Sequence, residues 1–149
     1  MIDILKSITV YCLALMYVGI GIKHFTEVDF FLVIVPPYMP YPEFIVYVSG
    51  LFEIIFGILL IPIKTRKYGA LGLLVLLIAV FPANIYLFES EIAQNTFGIS
   101  RKEALVRLPF QAPLIILAYW HSKLKTNCFF DVFCLMIFIP TMVYFLTLG

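Results

Sequence analysis

Five apolar segments, at about 5–22, 44–63, 68–88, 104–121 and 128–148, occupy most of this chain and leave only short polar joints between them. Crossing the hydrocarbon layer of a bilayer takes a helix of ~20 mainly apolar residues, and segments of this length read as such helices. Charged residues make up 13% of the sequence, against about 25% in soluble domains, and the mean hydropathy is +1.06. The chain therefore reads as an all-α integral membrane protein, a single transmembrane domain over 1–149 with very little mass outside the lipid. No soluble catalytic domain is expected. The net charge of +1 argues against nucleic acid as a partner, because phosphate binding needs a concentrated basic face.

The connections refine that outline. The first apolar stretch has no small-residue cleavage site and runs into Gly19-Ile-Gly-Ile-Lys23, which predicts an uncleaved first span rather than a signal peptide. Thr26 stands three residues before Asp29 as a helix start, and Phe30-Phe-Leu-Val-Ile-Val35 then stops at Pro36-Pro37. That piece, at about 27–37, is too short to span and is expected to be re-entrant or interfacial. Pro42 suits the first turn of the second span, and Ser100 and Glu103 have the spacing of a capping box at the start of the fourth. Pro109 and Pro113 fall inside that fourth helix, and each removes a backbone donor. Asp131 and Pro140 make the fifth segment the weakest, although its length favours a span.

Lysine and arginine counts set an orientation. Lys6, Lys64, Arg66, Lys67, Lys123 and Lys125 fall on one side, and Lys23, Arg101, Lys102 and Arg107 on the other. Positive residues concentrate inside, so the N-terminus is expected inside and, with five spans, the C-terminus outside.

Glu53 is the costly residue. It lies near the middle of the second segment, where an ionisable group costs roughly 2.5–3.5 kcal/mol on insertion scales. Ser49 and Gly57 lie one turn either side of it and Gly50 three residues before, so it sits on a small-residue stripe where helices approach closely. It should face the bundle interior. Connectivity brings Asn84, Arg107 and Gln111, with His24 and Lys23 above them, into the same half of the bundle, a pocket-like distribution. Three readings of Glu53 stay open: a structural group paired with Arg107 or bonded to Gln111, Asn84 or a tyrosine, a ligand or proton site, and a lipid-facing side chain without a role. Asn84, two residues after Pro82, would cap a carbonyl which that proline frees. His121 is expected to be solvated beside Lys123, and Trp120 and the tyrosines to form an interfacial aromatic belt.

Other chemistry has no motif to support it. The sequence contains no Gly-rich phosphate loop, nucleophile elbow, H-E-x-x-H or paired histidines. Neither a catalytic residue nor a metal site is assigned. Cys12, Cys128 and Cys134 form no C-x-x-C pair and read as buried small hydrophobes.

Five strings, in this order, resemble the DoxX-like family of small membrane proteins: Gly19-Ile-Gly-Ile-Lys-His-Phe25, Ile34-Val-Pro-Pro-Tyr-Met-Pro40, Ser49-Gly-Leu-Phe-Glu53, Phe81-Pro-Ala-Asn-Ile85 and Arg107-Leu-Pro-Phe-Gln111. The resemblance covers roughly 8 to 121 and implies a four-helix transmembrane bundle with a short re-entrant segment after the first span. To that the present chain adds a fifth C-terminal helix. The family is more distantly similar to the sigma-2 receptor and EXPERA group, in which an acidic residue lines a ligand cavity. The resemblance thereby implies ligand contact by Glu53, with Lys23, His24, Asn84, Arg107 and Gln111 at the other polar motif positions.

The expected function is that of an accessory protein of the bacterial inner membrane, holding a small hydrophobic molecule such as a lipid or a quinone. No independent catalytic activity is expected. Two alternatives are a membrane subunit of a quinone-linked oxidoreductase, supplied with electrons by a redox partner, and an assembly factor or chaperone for a client membrane protein.

Overall fold

The computed structural model describes residues 2–147, and within them each of the five apolar segments is helical. In chain order the helices are α1 (Ile2–Thr26), α2 (Val28–Leu32), α3 (Pro42–Leu60), α4 (Arg66–Ala79), α5 (Phe81–Glu89), α6 (Glu91–Phe97), α7 (Arg101–Ser122) and α8 (Cys128–Thr147). Positions 1, 148 and 149, which include the last residue of the expected fifth span, lie outside the described residues. Four stretches are long and apolar enough to cross a membrane: α1, α3, the run Arg66–Glu89 made by α4 and α5, and α8. The segment judged weakest thus qualifies, because Asp131 lies in the first turn of α8 and only Pro140 interrupts its length.

The fourth segment, α7, is 22 residues long yet is not among those four. It packs against α4, α5 and α8 and buries Gln111, His121 and Ser122. Its polar residues Gln111, His121 and Ser122 are turned into the bundle while Leu105, Val106 and Tyr119 face outward, so α7 has one inward face rather than an apolar surface all round.

Local signals act as their residue types dictate. Pro42 opens α3, and Ser100 and Glu103 form the capping box of α7, each side chain bonding to the other's backbone N–H. The expected helix start at Thr26 is displaced: α1 runs on to Thr26, and α2 begins after Glu27. Residues 27–37 form that five-residue helix followed by turns. Between α4 and α5 the chain breaks at Val80, where Pro82 has no N–H to continue the helix. At the α3–α4 joint, Thr65 Oγ1 donates to Leu59 O at 2.9 Å. Arg66 donates to Leu60 O at 3.0 Å and Ile61 O at 3.1 Å. The last carbonyls of α3, which have no partner within their own helix, are satisfied by the first residues of α4.

The core joins Val10, Leu13 and Tyr17 of α1 to Leu60, Leu73, Leu117, Trp120 and Cys134. Outside it, Leu15, Val75, Met136 and Ile139 are mostly exposed; in water such a surface would be a liability, and against acyl chains it is matched. Of the cysteines only Cys134 is buried. Cys12 and Cys128 are exposed, contrary to the expectation of three buried thiols, because they fall on outward faces of α1 and α8.

One polar cluster was not anticipated. Where α1, α7 and α8 meet, Lys6 Nζ donates to Lys123 O at 2.9 Å and stands 4.0 Å from Asp131. Trp120 Nε1 donates to the same Asp131 carboxylate at 2.6 Å, and Thr126 donates to it as well. The Thr9 hydroxyl donates to Lys6 O at 2.8 Å, so at 3.0 Å it accepts from His121 Nε2. His121 is therefore buried rather than solvated, and Trp120 is buried rather than part of a belt. Tertiary packing over more than a hundred residues of sequence overrides their position at a segment end.

Close packing of α3 on α4 depends on Gly69, where a Cβ would stand 2.7 Å from both Leu60 N and Phe56 O. A Cβ on Gly19 meets nothing within 4 Å. Gly69→Ala should therefore lower unfolding stability in micelles by about 1–3 kcal/mol, the usual cost of overpacking. Gly19→Ala should leave it unchanged or raise it by up to about 1 kcal/mol. Equal effects of the two substitutions would contradict this packing.

Candidate functional site

The site begins with two glycines. A Cβ on Gly21 of α1 would lie 2.7 Å from Gly50 O, and one on Gly50 of α3 would collide with His24 Cβ. Without those side chains the two helices touch, and His24 and Glu53 come together between them. His24 Nδ1 stands 3.3 Å from Glu53 Oε2, with both side chains nearly buried. That nitrogen carries at most one hydrogen, and it is directed to Ile20 O at 3.0 Å. Glu53 Oε2 consequently has no hydrogen-bond partner among the described residues. The His24 ring is held flat against Phe31, their centroids 3.7 Å apart. Phe31 belongs to α2, so the short segment after α1 covers this side of the site.

The opposite wall comes from the α4–α5 break and α7. Gln111, 3% exposed, donates from Nε2 to Leu77 O at 2.5 Å and accepts from Asn84 Nδ2. Asn84 was expected to cap a carbonyl freed by Pro82; instead Gln111 serves the last turn of α4, and Asn84 in turn holds Gln111. Arg107, one turn before Gln111, lies over Phe97 at 5.9 Å and Phe145 at 5.7 Å. The expected pairing of Glu53 with Arg107 is replaced by the approach of His24, which the Gly21–Gly50 contact places nearer.

These walls border a half-open cavity of ≈ 170 Å³, similar in volume to the ~150 Å³ of an engineered apolar cavity that binds benzene. His24, Glu53, Asn84, Arg107 and Gln111 all line it, among apolar side chains that include Met16, Ile34, Val46 and Leu114. Lys23 does not: it is exposed and lies outside the lining. Tyr17 lines the cavity and was not singled out from the sequence. It is 4% exposed, and its hydroxyl has no hydrogen-bond partner among the described residues. Its spacing held a signal, since Tyr17 lies seven residues before His24 and so on the same helical face. Among the described residues no group of three His, Cys, Asp or Glu side chains is placed to hold a metal ion.

Together these features define a helical bundle with four membrane-length helices and an internal cavity whose polar groups come from α1, α3, α5 and α7. The chain belongs to the family described as Domain of unknown function (DUF8561), whose profile matches residues 13–122. Every polar residue of the cavity falls within the matched stretch, whereas α8 lies beyond it. No curated protein and no solved structure matches the chain.

Gln111 holds both the α4 carbonyl and the Asn84 amide, and each buried polar group left unsatisfied costs ≈ 1–3 kcal/mol. Gln111→Leu should therefore destabilise the protein by about 2–4 kcal/mol, and Asn84→Ala by less, as read by denaturant unfolding in micelles. The reverse order would show that the Gln111–Leu77 bond does not hold this wall.

Proposed function

We propose that this chain is an accessory protein of the bacterial inner membrane, N-terminus inside and C-terminus outside. In its cavity it holds one small hydrophobic molecule with a hydrogen-bonding head, a lipid or a quinone. The observation that carries this reading is the pair of unmet polar groups on the cavity wall: Glu53 Oε2 and the Tyr17 hydroxyl, both without a hydrogen-bond partner among the described residues. Buried polar atoms are nearly always satisfied, and an unsatisfied carboxylate oxygen in a membrane bundle is costly. A head group that donates to Glu53 and bonds with Tyr17 would remove that cost, while the apolar walls receive the rest of the molecule. The cavity volume suits one ring or a short chain end rather than a whole phospholipid.

The resemblance to DoxX-like proteins supports the same residues, since Glu53, His24, Asn84, Arg107 and Gln111 occupy its polar motif positions and line this one cavity. Lys6 and Lys123, two of the six residues expected inside, meet at one end of the bundle, as a shared side requires; the inward assignment of that side rests on the positive-inside count.

The test is organic extraction of the purified full-length protein followed by mass spectrometry. Wild type should release a small apolar compound in near-stoichiometric amount. Glu53→Gln, with an unchanged melting temperature, should release at least about tenfold less, because loss of one charged hydrogen bond costs ≈ 1.5–3 kcal/mol. Equal amounts from both proteins, or none from wild type, would sink the proposal.

A further inference from the structure

A second hollow lies on the outside of the bundle, where α4, α7 and α8 meet. It is a groove of ≈ 360 Å³ lined by Leu74, Ile115, Ile116, Tyr119, Phe130 and Phe133. Apart from the Tyr119 hydroxyl these side chains are entirely apolar, and Tyr119 and Phe130 meet edge to face at 6.4 Å.

One end of the groove is basic. Lys123, one turn beyond Tyr119 in sequence, places its Nζ 5.0 Å from the Tyr119 ring. On α4, Lys67 lies seven residues before Leu74, on the same helical face. Because Gln111 meets Leu77, counting back along α4 and forward along α7 brings Lys67 level with the His121–Lys123 end. Lys67, Lys123 and Lys125 are exposed, and the close contacts between basic and acidic side chains among the described residues involve other groups, Lys6 with Asp131 and His24 with Glu53. Asp131, the carboxylate at the start of α8, is taken up by Trp120 and Thr126.

We propose that this groove is a binding site for an anionic phospholipid. One acyl chain lies between α4 and α8 along Ile115, Ile116 and Phe133, and the phosphate is held at the end by Lys123 and Lys67. The apolar walls select an acyl chain. The lysines, which form no ion pair among the described residues, select a net negative head over a zwitterionic one. This inference stands apart from the internal cavity and does not depend on what that cavity holds.

Native mass spectrometry of the full-length protein with phosphatidylglycerol or phosphatidylcholine of identical chains tests it. Wild type should retain phosphatidylglycerol in preference, and the preference should fall about fivefold for each lysine neutralised in Lys67→Gln and Lys123→Gln. Arg101→Gln with Lys102→Gln, at the other end of α7, should leave it unchanged. Ile116→Trp, which fills the groove, should reduce retention of both lipids. Equal retention of the two lipids by wild type, or an unchanged preference in the double lysine variant, would overturn the site. So would a concentration-dependent dimer abolished by Ile116→Trp, because the groove would then belong to a second copy of the chain.

Discussion

Backbone contact between α1 and α3 across Gly21 and Gly50 fixes the positions on which the cavity depends. Between apolar helices in lipid there is no hydrophobic force to draw surfaces together, so close van der Waals contact and polar bonds must hold them. At this crossing a single added carbon on either helix would meet the other's backbone or His24. The contact turns His24 toward α3 and sets Glu53, three residues beyond Gly50, beside it. Gly69 repeats the device between α3 and α4, which carries the packing on to the wall that Gln111 closes.

Two buried polar centres follow, and they differ in how fully they are satisfied. At the α1–α7–α8 end, Lys6, Thr9, Trp120, Thr126 and Asp131 bond to one another or to backbone carbonyls, and His121 bonds to Thr9 through Nε2 while its Nδ1 has no partner among the described residues. That centre is glue, and it fastens α8, the helix beyond the family match, to the rest of the bundle. In the cavity the supporting groups Gln111 and Asn84 are also bonded, but Glu53 Oε2 and the Tyr17 hydroxyl have no hydrogen-bond partner among the described residues. A structural role for Glu53 would leave its carboxylate better matched than this. Unlike the lone His121 nitrogen, these two groups line one cavity with room for a ligand, which favours an occupant.

Legibility in the sequence followed the range of the interaction. The apolar runs, the Pro42 start and the Ser100–Glu103 box are local, and each stands where its residue types place it. Glu53 could be turned inward from the sequence because Ser49, Gly50 and Gly57 mark the contact face of its own helix. The choice between Lys23 and His24 was not local: neighbours on a helix point about 100° apart, and the Gly21–Gly50 crossing decides that His24 enters the cavity and Lys23 leaves it. The cluster of Lys6, His121, Trp120 and Asp131 was invisible for the same reason, since its members meet only when α1, α7 and α8 pack. The fifth segment read as the weakest span because of Asp131 and Pro140, but Asp131 falls in the first turn of α8 and is bonded by Trp120 and Thr126.

The central claim is that the unmet groups of the cavity are met by a bound molecule. The most direct measurement is an experimental density map of the full-length protein purified from its own membrane. The account predicts continuous density inside the cavity, within hydrogen-bond distance of both Glu53 Oε2 and the Tyr17 hydroxyl, with the His24 ring still directed at Ile20 O. A cavity that is empty, or a His24 ring turned to donate directly to Glu53, would contradict it.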